Sequence, residues 1–141
     1  MEKKTILVSS CLLGENCKYN GESNENQKVI DFVKDYNVVR ICPEMMASLG
    51  CPRRKIEIKN GRVIDEDGND YTKKIDGACK QIGKIIDKEA PCLAILKSRS
   101  PSCGLNKIYD GTFKHILTQG NGIACSYILK RGIKVITEEE L

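Results

Sequence analysis

The sequence predicts an α/β protein: a single three-layer, Rossmann-like domain with a mainly parallel sheet and a small β-hairpin appendage. Short apolar runs alternate with stretches of helical periodicity, in the order strand, helix, strand, hairpin, helix, strand, helix, strand. Parallel neighbours in a sheet require crossover connections, which these helices would supply on both faces. A length of 141 residues suits one core, so we expect residues 1-141 to form a single domain.

In the first half of the chain, the pattern predicts two strands, one helix and one hairpin. The strands are expected at residues 5–10 and 37–41, the helix at 24–36 and the hairpin at 55–65. Apolar residues recur at helical spacing through the helix, and Ser23 or Asn24 is its expected N-cap. In the hairpin, apolar and polar residues alternate on both sides of Asn60-Gly61, a strong signal for a tight β-turn. The small size of this hairpin makes it an appendage to the main sheet.

In the second half, a long helix precedes a buried strand, a small turn or hairpin, another helix and a final strand. These elements are expected within residues 71–90, 92–97, 107–113, 120–132 and 133–137. Thr72 is the expected N-cap of the long helix, and Ile75 and Ile82 lie on its apolar face. Residues 92–97, CLAILK, are continuously apolar except for the last, which is typical of a strand covered on both faces.

The composition argues against a nucleic acid or a membrane as a partner. The 23 basic residues exceed the 19 acidic ones by only four, and five Tyr, two Phe and no Trp leave little material for stacking bases. The apolar stretch from Ile6 to Val8 is too short for a signal peptide or a membrane span. We therefore expect a cytoplasmic protein, with its oligomeric state left open.

The eight cysteines need an explanation other than disulfides, since a reducing compartment keeps thiols free. Cys11 follows the first strand, Cys42 the second, and Cys103 the CLAILK strand. Because the carboxyl ends of parallel strands meet at one edge of a sheet, these three thiols should converge. Convergent thiols usually hold a soft metal, as an iron-sulfur cluster, zinc or Cu(I). The lack of a CxxC spacing argues against a zinc ribbon, whereas a cluster with three protein ligands would leave one iron open.

The other five cysteines divide into two groups. Cys17 and Cys51 lie near the predicted site in the sequence, and either could replace one of the three ligands or serve a secondary role. Cys79 and Cys125 fall on apolar helical faces, and Cys92 begins a buried strand. Free cysteines behave as small apolar residues, so we expect these last three in the core.

Three motifs, SSCLLGENCKYNG, CPE and SPSCG, resemble those of the thiouracil desulfurase family in their order and intervals. The resemblance runs from Thr5 to the final strand, and it implies a [4Fe-4S] cluster whose ligands are Cys11, Cys42 and Cys103. It further implies that the fourth iron takes the sulfur of a thiolated nucleobase such as 2-thiouracil, and that water replaces this sulfur at carbon without redox chemistry. Glu44 of CPE would be the acid/base.

Polar residues beside these motifs are candidates for contact with the substrate or with water. Ser100 precedes a proline, which favours an extended backbone and directs its hydroxyl into the pocket, where it is a candidate catalytic contact. Ser102 is a candidate for substrate binding, as are Asn16 and Tyr19, which could hydrogen-bond to or stack on a pyrimidine-like ring. Arg53 could bind an anionic or carbonyl group.

Three functional hypotheses follow from the sequence. The first is the cluster-dependent desulfurase, and the second is a non-catalytic iron-sulfur or metal-binding module that senses sulfide or redox state. The third is a cluster-free thiol enzyme in which Cys11 and Cys17 form a redox pair. His115, the only histidine, is expected to be structural or at the surface, which argues against a catalytic Cys-His pair.

Overall fold

The computed structural model describes residues 3–141, which form eight strands, four α-helices and three short 3-10 segments. In chain order, the strands and α-helices are β1 Thr5–Ser9, α1 Gln27–Phe32, β2 Asn37–Ile41, α2 Pro43–Met46, β3 Ile56–Lys59, β4 Arg62–Asp65, α3 Thr72–Glu89, β5 Leu93–Leu96, β6 Lys107–Tyr109, β7 Leu117–Gln119, α4 Ile123–Lys130 and β8 Lys134–Thr137. The 3-10 segments are Ser10–Leu13, Val33–Asp35 and Glu138–Glu140.

The main sheet contains four parallel strands in the order β2-β1-β5-β8. Ile6 of the central strand β1 lies opposite Val38 of β2 on one side and Leu93 of β5 on the other. The chain therefore leaves β1 in one direction to form β2 and returns on the opposite side to form β5. Ligand sites in open parallel sheets form at such a reversal, at the carboxyl ends of the strands. The predicted parallel sheet is confirmed.

Helices cover both faces of this sheet, as predicted. Successive side chains of a strand point to opposite faces, so Ile6 and Val8 pack in one apolar cluster with Val29 of α1. Leu7 points the other way and packs in a second cluster with Ile82 of α3. These five side chains are completely buried, so the two clusters give the domain its three layers.

The first helix is shorter than the sequence predicts. It begins at Gln27, and the side chain of Asn26 accepts a hydrogen bond from Val29 N at 3.2 Å, so Asn26 is the N-cap and the expectation of Ser23 or Asn24 was wrong. Asn24 is held elsewhere, because its backbone N–H donates to the carbonyl of Cys11. The residues that were predicted to start the helix therefore belong to the loop after β1.

The long helix α3 begins at Thr72, so Thr72 is its first residue and the predicted N-cap was wrong by one position. Its hydroxyl accepts from Val63 N at 2.9 Å, and its own N–H donates to the carboxylate of Asp70 at 2.8 Å. Thr72 therefore joins the helix to the strand β4. The predicted apolar face, including Ile75 and Ile82, is buried.

Strands β3 and β4 form the predicted hairpin, separate from the main sheet. Asn60 and Gly61 both have positive φ, 50° and 76°, as a two-residue turn of the favoured type requires. Glu57 of β3 is 1% exposed, and one of its oxygens accepts from Gly111 N and Phe113 N. Glu57 thereby ties this hairpin to the loop between β6 and β7, which pair as a second hairpin.

Among the helices of residues 3–141, none combines the length and the apolar character that crossing a membrane requires.

Candidate active site

Four cysteines line one cavity of about 360 Å³ at the carboxyl ends of β1, β2 and β5. They are Cys11, Cys17, Cys42 and Cys103. Three of them follow three different strands, and the cavity lies at the reversal of strand order between β1 and β5. The structure therefore brings together the three thiols whose convergence the sequence predicts, and adds Cys17 to them.

Each of these three cysteines is positioned by the turn that ends its strand. Cys11 lies in the 3-10 segment directly after β1, which Gly14 terminates in the left-handed region at φ 96°. Cys42 lies between β2 and α2, where Pro43 begins the short helix. Cys103 lies in the loop of residues 98–104 that follows β5.

The 98–104 loop is held by its own hydroxyls and by the start of α4. The Ser100 hydroxyl accepts from the backbone N–H groups of Ser102 and Cys103 at 3.2 and 3.1 Å. At the beginning of α4, Ile123 N donates to Pro101 O and Cys125 N donates to Ser102 O, both at 3.0 Å. The first N–H groups of a helix have no hydrogen-bond partner within the helix. These two bonds therefore give the first N–H groups of α4 their acceptors, and they also hold the loop in place.

Glu44 is a buried carboxylate with a defined hydrogen-bond donor. Ser102 Oγ donates to Glu44 Oε1 at 2.5 Å, while Glu44 Oε2 lies 3.8 Å from Cys42 Sγ. The single hydroxyl proton of Ser102 is used toward Glu44, so the 3.1 Å bond between Ser100 Oγ and Ser102 Oγ takes its proton from Ser100. A chain of donors therefore runs from Ser100, at the cavity wall, through the buried Ser102 to Glu44.

The four thiols of the cavity differ in their readiness to ionise. A hydrogen bond from Cys17 lowers the pKa of Cys11 to about 7, against the opposing effect of burial, and a bond from Cys17 also lowers the pKa of Cys42. The same hydrogen bonds raise the pKa of Cys17, which stays a thiol. Burial raises the pKa of Cys103, and the charge of Glu44 raises it further. Cys11 and Cys42 are thus the thiols of the cavity that ionise most readily.

The donor set fits an iron-sulfur cluster, because thiolate sulfur is a donor that such clusters take. Within residues 3–141, no group of three or more His, Cys, Asp or Glu side chains that could hold a metal ion is found. A cluster places its thiolate ligands on different iron atoms, so it needs thiols that stand around a cavity, and soft sulfur donors suit it. Cys11, Cys42 and Cys103 stand around such a cavity.

Only some of the predicted substrate-binding residues line the cavity. Tyr19 and Arg53 line the cavity, and Tyr19 is 37% exposed at its mouth. Arg53 donates to the carbonyls of Cys17 and Gly50 at 2.9 and 3.0 Å, while its Nε is buried and has no partner among the described residues. Asn16 is exposed and does not line the cavity.

Cys51, the other candidate for a ligand role, does not line the cavity. Its Sγ lies 3.1 Å from the carbonyl oxygens of both Asn16 and Lys18, to which its thiol can donate. Its hydrogen bonds hold the loop that contains Cys17 and Tyr19.

The last three cysteines lie outside the cavity. Cys79 and Cys125 are buried as predicted, and burial raises the pKa of each to about 11. The prediction for Cys92 was wrong, because its side chain is exposed. The strand β5 begins only at Leu93, and Cys92 contributes its backbone N–H to the carbonyl of Thr5 while its side chain remains at the surface.

Lys97, Tyr109 and His115 are among the cavity residues that were not predicted to belong to the site. Lys97 follows β5 directly, so its position at a strand end could have indicated it. Tyr109 and His115 belong to the β6–β7 hairpin and its loop, and their rings meet edge to face with centroids 6.3 Å apart. Their place depends on the contact of that loop with Glu57, which no local pattern indicates.

The fold and the cavity define a Rossmann-like α/β protein with a thiol-lined site at the switch point of its sheet. The chain belongs to the 2-thiouracil desulfurase family, whose model matches residues 6–140. The resemblance recognised in the motifs is thus confirmed at the level of the family.

Two individual proteins are similar to the chain along nearly its whole length. It is 35% identical over 147 residues to the uncharacterized protein YbbK of Bacillus subtilis (strain 168), and the match covers 96% of this chain and 97% of that protein. The solved structure of the [4Fe-4S]-dependent thiouracil desulfidase TudS has a TM-score of 0.91 and 30% sequence identity, covering 99% of this chain and 93% of that chain.

Gly122 should be intolerant of any side chain, because it lies against the backbone of the 98–104 loop. A Cβ at this position would lie 2.5 Å from Ser102 O and 2.7 Å from Cys103 N. We expect Gly122→Ala to lower the free energy of unfolding of the reduced apoprotein by about 1–3 kcal/mol, as overpacking does. Urea unfolding measures this loss, and iron analysis after anaerobic reconstitution should show reduced uptake because Cys103 is displaced.

The matched control is Gly77→Ala in α3, where a Cβ meets no atom within 4 Å. Replacing glycine by alanine inside a helix stabilises it by about 0.5–1 kcal/mol. Equal stability and equal iron uptake in Gly122→Ala and the wild-type protein would contradict the close approach of α4 to the loop.

Proposed function

We propose that this protein is a [4Fe-4S]-dependent desulfurase that converts the thiocarbonyl group of a small molecule such as 2-thiouracil to a carbonyl group. The observation that carries this proposal is the cavity in which Cys11, Cys42 and Cys103 converge beside Glu44. Membership of the family and the similarity to TudS support the reaction and the cofactor. Thiocarbonyl and water give carbonyl and hydrogen sulfide, so the reaction needs neither an oxidant nor a reductant.

Cys11, Cys42 and Cys103 are the proposed ligands because each follows a different strand at one edge of the sheet and each lines the cavity. When bound, the cluster would supply an iron with an open coordination position, a soft Lewis acid for the sulfur of the thiocarbonyl. Cys17 would remain a thiol, which its raised pKa supports, and its single S–H would be shared between the sulfurs of Cys11 and Cys42. Cys51 is no ligand in this proposal, since its thiol faces backbone carbonyls.

Glu44 is the proposed acid/base. Its carboxylate is 7% exposed and lines the cavity, and the donor Ser102 holds one oxygen, which orients the other for proton transfer. Glu44 would take a proton from the water that attacks the thiocarbonyl carbon and pass it to a ring nitrogen that is unprotonated in the thiol form of the substrate, whose own proton is released with the sulfide. Ser100, at the cavity wall, would act through Ser102, because its hydroxyl proton goes to Ser102 and its oxygen accepts from two backbone N–H groups.

Two further residues are proposed to bind the substrate ring. Arg53 has a buried Nε–H without a partner at the cavity, which suits a carbonyl oxygen of the ring. Tyr19 at the mouth offers an aromatic face for stacking. Ser102 is buried and outside the cavity lining, so it would act through Glu44, and Asn16 has no direct contact in this proposal.

The donor chain from Ser100 to Glu44 favours an enzyme over a module that only stores or senses iron-sulfur clusters. Such a module needs ligands, whereas a buried carboxylate with an oriented hydroxyl beside the ligands serves proton transfer. All eight cysteines are free, which fits a reducing compartment, and we propose that the protein is cytoplasmic.

We expect anaerobic reconstitution of the wild-type protein to give about four irons and four sulfides per chain, as a cubane cluster contains. Replacement of Cys11, Cys42 or Cys103 by serine should lower this content, because a hydroxyl is a poor ligand for the soft site. Cys79→Ser, which changes a buried thiol outside the cavity, is the control and should load normally. Full loading of Cys42→Ser together with loss of loading in Cys51→Ser would show that the ligand set is wrong.

We expect Glu44→Gln to load the cluster but to release sulfide from 2-thiouracil about 100- to 10,000-fold more slowly, the usual range for loss of a positioned acid/base. The amide retains an oxygen that can accept from Ser102, so the loop should keep its shape. Anaerobic sulfide assays normalised to cluster content measure the effect, with the exposed Glu66→Gln as the matched control. Wild-type turnover in Glu44→Gln would refute the acid/base role.

A further inference from the structure

A second carboxylate, Glu138, holds the start of the 98–104 loop from a distant part of the chain. Its Oε1 accepts from Ser98 N at 2.7 Å, and its Oε2 accepts from Ser98 Oγ at 2.9 Å and from Lys97 Nζ at 3.1 Å. Lys97 Nζ also lies 3.2 and 3.1 Å from Ser98 O and Ser98 Oγ. We call these three residues, Lys97, Ser98 and Glu138, the Glu138 network.

Sheet pairing places Glu138 beside the loop. Leu96 of β5 lies opposite Thr137 of β8, so the residues that follow each strand leave the sheet side by side. The 3-10 segment Glu138–Glu140 then begins where the 98–104 loop begins. Pairing of the two strands therefore delivers the carboxylate to the loop, although about 40 residues separate them in the sequence.

The Glu138 network is largely shielded from water. The side chains of Glu138 and Lys97 are 11% and 25% exposed, and Ser98 is buried. Burial raises the pKa of Glu138, but hydrogen bonds from Ser98 and the charge of Lys97 outweigh it and hold the pKa below its usual value. An ionised carboxylate with three donors at low exposure forms strong, charge-assisted hydrogen bonds.

The Glu138 network extends to the cavity wall. Lys97 and Ser98 line the cavity that contains Cys11 and Cys103, and the Lys97 backbone N–H donates to Ser9 Oγ at 3.0 Å at the end of β1. Three acceptors surround the ammonium group, so Lys97 has no further donor for a substrate. Its role is then to keep a positive charge and the loop backbone in fixed positions.

We propose that Glu138 is a positioning residue of the site: through Lys97 and Ser98 it fixes the loop that carries Cys103, Ser100 and Ser102. The inference rests on the proposed function, and it concerns the retention of the cluster as well as the reaction. Displacement of reacting groups by about 1 Å lowers rates about 100-fold, so a carboxylate that touches no substrate can still control turnover.

Glu138→Gln tests this inference with little change in shape. The amide oxygen can still accept from Ser98 N, but the amide NH₂ replaces an acceptor and faces two donors, the Ser98 hydroxyl and the Lys97 ammonium. Glu140→Gln is the matched control, because Glu140 is exposed and forms no side-chain hydrogen bond or ion pair among residues 3–141. Ser98→Ala, which removes one hydroxyl of the network, is a milder variant should Glu138→Gln fail to fold.

The experiment has two readouts on reconstituted protein under anaerobic conditions. The first is the rate at which an iron chelator removes iron, and the second is kcat and KM for 2-thiouracil per cluster. We expect Glu138→Gln to lose iron faster than the wild-type protein and Glu140→Gln, and its kcat per cluster to fall about 10- to 100-fold with KM little changed. Ser98→Ala should also speed iron loss and lower kcat per cluster, but by smaller factors.

Three results would overturn the inference in distinguishable ways. Wild-type iron loss and wild-type kcat in Glu138→Gln would show that the network does not position the site. A lowered melting temperature with unchanged kcat per cluster would show a purely structural role. Failure of the wild-type protein itself to load a cluster would overturn the proposed function and this inference together.

Discussion

Parallel pairing of β1 with β2 on one side and β5 on the other is the constraint on which the rest of the structure depends. It places the carboxyl ends of three strands at one edge, where the chain must turn away from the sheet. Cys11, Cys42 and Cys103 occupy these turns. The cavity therefore needs no long-range contact specific to the thiols in order to form, since the backbone topology brings them together.

The sheet topology does not determine the conformations of the loops, which are held by polar side chains around them. Ser100 binds two backbone N–H groups of its own loop, and Glu138, which directly follows β8, binds the start of the same loop. Glu57 holds the loop that contributes His115 to the cavity mouth. Buried carboxylates are unfavourable unless they are hydrogen-bonded, so each one found here marks a place where a loop is held in one conformation.

The sequence predicts the sheet and its hairpin well because both depend on local patterns. The strand at residues 37–41 and the Asn60-Gly61 turn are found as predicted, and the three cysteines follow from the positions of strand ends. The helix caps were wrong where a contact with another segment intervenes, as with Asn24, whose N–H binds the carbonyl of Cys11. Tyr109 and His115 reach the site only through the contact of their loop with Glu57, which no periodicity records.

The central claim is that three cysteines hold a cluster with one iron left for the sulfur of the substrate. Mössbauer spectroscopy of protein loaded with isotopically enriched iron tests it most directly, before and after 2-thiouracil is added to the slow Glu44→Gln variant. The account predicts that one iron in four differs from the rest and that its signal alone shifts with the ligand. Four irons that behave alike and do not respond to 2-thiouracil would contradict it.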